Sequence, residues 1–408
     1  MPILLAFIAV LFASINLRAG IASLGPVLGE VLGAFGAAGW MAGVITAIPG
    51  LFFALMGLAA VPVARRLGLS GALTAGMVLT LIGLAARPWV GQFWVFIILT
   101  ALVVAGIALA NVLLPAWIKN HGRHRTVALM TVYTSFLGVS GAIGPLSALP
   151  FHGVDAWQWA LFVWASIAAV QVVVWMLVTA RTGVDFPSVG VAADAPGGPD
   201  EPIGGGAPSG SGVSLWRAPT AVFLMAFFGL QSMNAYVQMG WLPKIYIDSG
   251  ASASVGAVAL ALIGGLNIIG GLVMPFLINR LRNLTLFPVL FSALAAAGYL
   301  GLYLAPQTMP LLWAVLLGLG GFCFPTALAL ITARSRTALV TARLSGFVQP
   351  FGYFVAAAGP LFVGILYDLS GQWSLILLLL VAGTVLMAIT GFRASRPGYI
   401  DDELHPAR

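Results

Sequence analysis

The sequence has very few charged side chains. Asp, Glu, Lys and Arg make up 7% of its 408 residues, whereas roughly a quarter is usual for a soluble protein. Hydrophobic residues make up 61% and the mean hydropathy is +1.05. Water does not tolerate a surface of this composition, so the solvent of the folded chain is predicted to be lipid.

Cysteine is almost absent, because the chain contains only Cys323, which lies inside an apolar run. An intrachain disulfide is therefore excluded, and cysteine usage says nothing about the redox compartment. The N-terminus lacks Lys or Arg before the apolar run 3–15, which argues against a cleaved signal peptide. The first apolar segment is predicted to stay in the protein.

A concentrated patch of positive charge is missing as well, although the net charge is +7. The 18 basic residues lie in short hydrophilic gaps and form no basic helix or aromatic-interleaved patch. This distribution argues against nucleic acid as a partner. The expected partners are the lipid bilayer and a small-molecule substrate, and the protein is expected to be a monomer.

Long apolar runs fill most of the chain. A transmembrane helix needs about 20 mostly apolar residues, and dividing the sequence at Pro, Gly and charged clusters gives twelve such segments. The fold class is therefore predicted to be an all-α integral membrane protein with twelve spans. The predicted spans are 4–27, 38–62, 70–88, 92–117, 127–148, 157–180, 218–241, 253–277, 285–304, 309–332, 345–366 and 373–392.

The basic residues predict the orientation of these spans, since Lys and Arg accumulate in cytoplasmic loops. With a cytoplasmic N-terminus, Arg87 and Lys244 fall outside and Arg18 falls within a span. The sequence thus predicts a multi-pass protein of the inner (plasma) membrane with both termini cytoplasmic. The other 15 basic residues then lie inside: Arg65, Arg66, Lys119, Arg123, Arg125, Arg181, Arg217, Arg280, Arg282, Arg334, Arg336, Arg343, Arg393, Arg396 and Arg408.

A segment rich in Gly, Pro and Ser separates the sixth and seventh spans. It is predicted to be a flexible cytoplasmic linker over residues 182–215, serving as a plain connector or as a regulatory segment. The predicted domains are an N-terminal six-helix bundle (1–181), the linker, a C-terminal six-helix bundle (216–396) and a cytoplasmic tail (397–408).

The two halves repeat each other. GLAAVPVARR (57–66) corresponds to GLVMPFLINR (271–280), and IGPL (143–146) corresponds to AGPL (358–361). The spacing is nearly constant at 213 residues for Pro62/Pro275, 215 for Pro145/Pro360 and 210 for Pro115/Pro325. Two parallel repeats around a central site are typical of transporters that work by rocking one half against the other.

Short motifs in most of the predicted helices carry a family resemblance. They are Asn16-Leu17-Arg18 with Gly25-Pro26, NVLLPAWIK (111–119), FFGLQS (227–232), GWLP (240–243), LSGFVQPFGY (344–353) and AAGPL (357–361). In these stretches the chain resembles the major facilitator superfamily, in particular its cyanate/2-nitroimidazole branch, which implies transport of a small compound, with an anion among the candidates. The chain departs from the family pattern at Ala19, where the branch usually has proline, and in lacking the acidic residue after Arg65-Arg66-Leu67-Gly68.

Arg18 is the strongest candidate for binding a substrate. It lies about fifteen residues into the first span, where burying a guanidinium costs from roughly 2.5 to over 10 kcal/mol. No Asp or Glu lies deep in any predicted span, because Glu30 and Asp368 fall near or beyond span ends. The substrate is therefore predicted to supply the negative charge. The alternative is a structural arginine that caps backbone carbonyls.

Amides and tyrosines complete the candidate set. Asn16 lies about 200° around the helix from Arg18 and is expected to brace a neighbouring helix. Gln231, Asn234 and Gln238 form one polar stripe on the seventh span, for which cavity lining is favoured over interhelical hydrogen bonding. The remaining candidates, each either a ligand group or a packing contact, are Asn111, Tyr133, Asn267, Gln349 and Tyr353.

The function predicted is secondary active or facilitative transport of a small anion or electron-rich heterocycle. Since the spans lack Asp, Glu and His relays, carboxylate-based proton symport is not expected. Alternatives are multidrug-type efflux with a structural Arg18, an anion channel, or a membrane enzyme. No nucleophile–base pair, metal-ligand spacing or nucleotide motif supports an enzyme, so neither catalysis nor a cofactor is predicted.

Overall fold

A computed structural model of the protein describes residues 2–186, 214–280, 284–336 and 338–404. Most of the predicted linker, 187–213, lies outside the described residues, as does the end of the predicted tail, 405–408. Within the described ranges the secondary structure is helical, with no strand. The fold class predicted from the sequence is confirmed.

Fourteen α-helices follow one another in the described part of the chain. They are α1 (Ile3–Ala22), α2 (Leu24–Phe35), α3 (Gly39–Ala86), α4 (Phe93–Gly122), α5 (Thr126–Leu146), α6 (Ala156–Thr182), α7 (Pro219–Asp248), α8 (Ala253–Arg280), α9 (Leu286–Leu304), α10 (Pro310–Gly320), α11 (Cys323–Ala333), α12 (Ala338–Ser370), α13 (Ser374–Ala394) and α14 (Ile400–Leu404). We call α1–α6 the first half and α7–α13 the second half.

The longest helix contains two membrane spans. The described residues include eleven apolar stretches long enough to cross a membrane, and one of them, Gly39–Trp89, is 51 residues long. A single helix of that length would measure about 77 Å against a hydrocarbon core of about 30 Å. The chain turns back at Gly68, which has φ 78° and ψ 165°. Counting both arms gives twelve spans, as the sequence predicts.

Two predicted spans are broken where the sequence suggested continuous helices. The first continues beyond residue 27 as α2, which ends at Phe35 before Gly36 in the left-handed conformation. Pro26 is accommodated in the first turn of α2, where its missing N–H would have no partner in any case. The tenth divides at Gly321 into α10 and α11.

Three hydrophobic clusters hold the bundle together. One contains only residues of the first half, such as Leu17, Trp117 and Trp175, and one contains only residues 215–404. Both lie toward the end of the bundle where α1 begins and α13 ends, which we call the terminal face. The third lies at the opposite, distal face and joins both halves, with Trp157 and Trp241 among its members. The halves are therefore sealed together at the distal face.

Backbone contacts between the halves tighten this distal seal. A Cβ on Gly43 would lie 2.9 Å from the Leu361 carbonyl oxygen, and one on Gly50 would lie 2.7 Å from the Ala357 nitrogen. Real Cβ atoms do not approach backbone this closely, so both positions need glycine. The first arm of α3 consequently packs directly on α12.

The turn at Gly68 is fastened by a carboxylate from another part of the first half. The Asp185 carboxylate accepts hydrogen bonds from the Ser70 backbone N–H (2.9 Å) and hydroxyl (2.6 Å). It also lies 3.3 Å from His121 Nε2. The acidic residue that the sequence lacks after the second span is thus supplied beside this turn by the segment that follows α6.

The beginning of the predicted tail is folded against the second half. In α14, Ile400 is fully buried, and its N–H donates to the Arg334 carbonyl over 2.9 Å. The Arg334 Nη2 donates in turn to the Ser395 carbonyl. Burial lowers the pKa of the Arg334 guanidinium.

Substituting Gly68 by Ala is expected to lower the free energy of unfolding by about 1–3 kcal/mol. A positive φ strains any L side chain, and the added Cβ would lie 2.7 Å from the Asp185 carboxylate. The measurement is the melting temperature of the purified protein in detergent. Gly57→Ala is the matched control, since a Cβ at this α3 position meets nothing within 4 Å. Equal melting temperatures for the two variants would contradict the role assigned to the turn.

Candidate functional site

Arg18 lies near the C-terminal end of α1, four residues before Ala22, and is only partly buried. Helix α5 holds this stretch of α1 in place, because the Ser140 hydroxyl accepts the backbone N–H groups of Arg18 (3.1 Å) and Ala19 (2.8 Å). The side chain runs over Gly141, where a Cβ would lie 3.3 Å from Arg18 Cδ. Among the described residues, the Arg18 guanidinium makes no hydrogen bond and no ion pair, and only its backbone N–H is bonded.

Three tyrosines from three helices lie within electrostatic range of Arg18. They are Tyr133 of α5, Tyr236 of α7 and Tyr353 of α12. The Tyr133 hydroxyl donates to Asn111 Oδ1 over 3.4 Å, which links it to α4. Since α4 and α5 belong to the first half and α7 and α12 to the second, the surroundings of Arg18 are built by both halves.

Aromatic rings form one wall of this region. The Tyr353 ring lies 5.5 Å from Phe53 of α3 and 6.3 Å from Tyr236, measured between centroids. Tyr353 also meets Phe228 edge to face at 5.1 Å. An arginine fork beside phenol hydroxyls and ring faces offers charge, hydrogen bonds and stacking together.

Four of the predicted candidates are brought together here: Arg18, Asn111, Tyr133 and Tyr353. Gln349 lies one turn before Tyr353, but its amide donates to Ser345 Oγ of its own helix over 2.8 Å. Phe53 and Tyr236 are not among the candidates predicted from the sequence. Tyr236 lies between the amides of α7 in sequence and about 200° around the helix from Asn234.

The amide stripe on α7 does not line the centre, contrary to the sequence-based preference. All three side chains are buried. The Tyr299 hydroxyl donates to Asn234 Oδ1, and Gln238 Nε2 donates to the Tyr299 hydroxyl oxygen over 3.3 Å. Gln231 Nε2 donates to the Gly321 carbonyl over 3.2 Å, where α10 and α11 are divided. The stripe therefore joins α7 to α9 and to the α10–α11 junction.

Asn16 and Asn267 each contact another element of their own half. Asn16 is buried against α6, where its Nδ2 donates to the Trp164 carbonyl (3.4 Å) and to Gln171 Oε1 (3.3 Å). This contact is the bracing that the helical geometry predicts. The Asn267 Oδ1 packs against Gly321, where an added Cβ would lie 2.7 Å from this oxygen. Both asparagines contact neighbouring helices of their own half.

Comparisons with known proteins place the chain among membrane transporters. A profile of the Major Facilitator Superfamily matches residues 5–342. The chain is 30% identical over 390 residues to the 2-nitroimidazole transporter of Escherichia coli (strain K12), covering 95% of this chain and 94% of that protein. It is 26% identical over 361 residues to the cyanate transport protein CynX of the same organism, covering 88% and 89%.

The fold also matches solved transporter structures. A bacterial homolog of the human lysosomal transporter Spinster, in an inward-facing and unoccupied conformation, superposes with a TM-score of 0.73. The sequence identity is 15%, and the match covers 98% of each chain. At this identity the match supports the fold alone.

Tyr299→Phe tests the placement of the α7 stripe. Removing the hydroxyl leaves two buried amides without their partner, at about 1–3 kcal/mol for each unpaired group. We expect a clearly lower melting temperature in detergent. Tyr303→Phe is the control, because this tyrosine lies one turn further along α9 and is 39% exposed. An unchanged melting temperature for Tyr299→Phe would contradict the interhelical role of the stripe.

Proposed function

Because this chain belongs to the major facilitator superfamily and is a membrane transporter of a small solute, we propose that its cargo is a small anion or an electron-rich heterocycle. The proposed cargo is cyanate-like or nitroimidazole-like, and it moves by alternating access around a central site. Arg18 is the proposed partner of its charge, with Tyr133, Tyr236 and Tyr353 around it.

The observation that carries this proposal is the free guanidinium of Arg18. A structural arginine would direct its N–H groups to carbonyls or carboxylates, yet the Arg18 side chain makes no such bond within the described residues. An arginine also offers a planar, bidentate donor pair that matches flat anions. The simplest compensation for this charge is the cargo itself.

The rings around Arg18 support the second part of the proposal. Phe53, Tyr236 and Tyr353 present adjacent faces from three helices. Offset or edge-on contacts with an aromatic ring contribute about 0.5–1.5 kcal/mol beyond burial. A nitroheterocycle would use the rings and direct its polarised oxygens toward the guanidinium. The names of two relatives, a 2-nitroimidazole transporter and a cyanate transport protein, point to the same two chemistries.

The division of the site between the halves supports alternating access. Arg18 and Tyr133 belong to the first half, while Tyr236 and Tyr353 belong to the second. The distal ends are sealed by the shared hydrophobic cluster, so the cargo would reach the site from the terminal face in this conformation. Rocking would separate the distal ends and expose the site on the other side.

The proposed topology and coupling follow from the charge distribution. We place the protein in the inner (plasma) membrane as a monomer with both termini cytoplasmic, because the predicted inside loops hold most of the Lys and Arg. With no acidic residue deep in a predicted span, facilitated diffusion, exchange, or a proton that travels with the cargo are the proposed modes.

Arg18→Gln is expected to reduce cyanate uptake into proteoliposomes at least 100-fold in kcat/KM. Removing the charged partner of a buried pair costs about 3–5 kcal/mol, which corresponds to this range. Arg18→Lys should retain part of the activity, because it keeps the charge and loses the fork. Arg181→Gln, at an exposed arginine of α6, is the control and should transport normally.

The same liposomes distinguish the alternative of multidrug efflux. Uptake of cyanate, of 2-nitroimidazole and of a neutral amphipathic dye is measured side by side. If Arg18→Gln transports all three as well as the unmodified protein, Arg18 is structural and the anion proposal fails. Single-channel currents in planar bilayers would favour the anion channel instead.

A further inference from the structure

A second arginine, Arg87, stands at the outer end of the predicted span 70–88 and is buried at the distal face. Arg87 follows α3 in a short 3-10 helix, Arg87–Trp89, and is 1% exposed. Its Nη2 donates to the Gly20 carbonyl of α1 over 3.0 Å. Its Nε is buried and has no hydrogen-bond partner in the described residues.

Arg87 lines a cavity between the two halves. This small, partly open cavity lies between α1–α4 of the first half and α7 of the second. Thr100 of α4 also lines this cavity, and its buried hydroxyl likewise has no partner among the described residues. Two polar groups with unused hydrogen-bonding capacity thus border the same space.

The described lining supplies no negative charge to Arg87. It contains no Asp or Glu and consists largely of small and apolar residues. Leaving a buried charge without a partner is strongly unfavourable, and a single carbonyl at the C-terminal end of α1 carries only a fraction of a charge. Both atoms are closed off in this conformation, so a small anion would accept from the Arg87 Nε and the Thr100 hydroxyl once separation of the halves opens the cavity.

Tyr236 connects this cavity with the central site. It lines the cavity together with Arg87, and it also lies within electrostatic range of Arg18. Tyr236 and Met239 belong to α7, whereas Arg87 and Thr100 belong to the first half. If the halves separate at the distal face, α7 moves away, and Arg87 and Thr100 become accessible from that side.

We propose that Arg87 and Thr100 form a second anion site, distal to Arg18, where the cargo binds between the distal face and the central site. The ligand class is a small anion with acceptor atoms for a guanidinium and a hydroxyl. This inference rests on the proposed function in taking the cargo to be anionic. The alternative is an arginine that only caps the end of α1.

The test places a reporter thiol at the site. Thr100→Cys is made in a Cys323→Ala background, so that the introduced thiol is the only one in the chain. The thiol is labelled in proteoliposomes with two methanethiosulfonate reagents, one carrying a sulfonate and one carrying a trimethylammonium group. The ratio of anionic to cationic labelling rates is expected to fall about tenfold when Arg87→Gln is added, because the site loses its positive charge. Arg87→Lys should keep the ratio.

Thiocyanate then serves as the ligand probe in the same labelling assay, because cyanate itself would carbamoylate the introduced thiol. Thiocyanate is expected to slow labelling of this thiol when Arg87 is present, also in the Arg18→Gln background, and to have no effect with Arg87→Gln. Melting temperatures verify that each variant is folded. Absence of labelling by both reagents, a rate ratio insensitive to Arg87→Gln, or absence of thiocyanate protection would each overturn the second site.

The two proposals fail in different experiments. Arg18→Gln abolishes cyanate uptake if the central site is as proposed, whatever the labelling of the introduced thiol shows. Loss of the Arg87-dependent rate ratio and protection leaves the Arg18 result intact. Protection that depends on Arg18 but not on Arg87 would place the only anion site at the centre.

Discussion

An unpaired guanidinium within an apolar bundle is the physical constraint on which the other features depend. Charge in such surroundings is costly unless a partner of opposite sign is present. The chain has eleven acidic residues, and none lies deep in a predicted span. Arg18 is partly exposed beside three phenols, and Arg87 is buried beside a cavity. In both places the protein supplies no acidic partner for the arginine, which fits the proposal that an anionic cargo supplies the negative charge.

The packing of the halves determines from which side such a cargo can approach. At the terminal face each half has its own hydrophobic cluster, whereas at the distal face one cluster contains residues of both. Glycines at positions 43 and 50 bring α3 against the backbone of α12 there. A seal made of close apolar contacts can open as a unit, because it contains few directional bonds that must be exchanged. This arrangement fits rocking of two rigid halves.

Polar residues of α7 illustrate how one helix serves two purposes. Its amide face is hydrogen-bonded to Tyr299 and to the Gly321 carbonyl, which fixes α7 to the rest of the second half and leaves the buried Gln231 Oε1 without a partner among the described residues. Its opposite face carries Tyr236 toward the first half. There Tyr236 lies within electrostatic range of Arg18 and lines the same cavity as Arg87. Hydrogen bonds within the half and looser aromatic contacts across the interface are what a moving rigid body requires.

The sequence by itself determined the lipid solvent, the twelve spans, the family and the unusual position of Arg18. It could do so because hydropathy, and the free-energy cost of placing a charged side chain in the membrane, depend on local composition. Only the tertiary structure decided that the α7 amides face α9, that Arg87 is buried, and that Asp185 fastens the turn at Gly68. Helical periodicity tells which side chains share a face, but not which neighbour that face meets. A buried amide is satisfied equally by a partner helix or by a cavity, so its role depends on contacts distant in sequence.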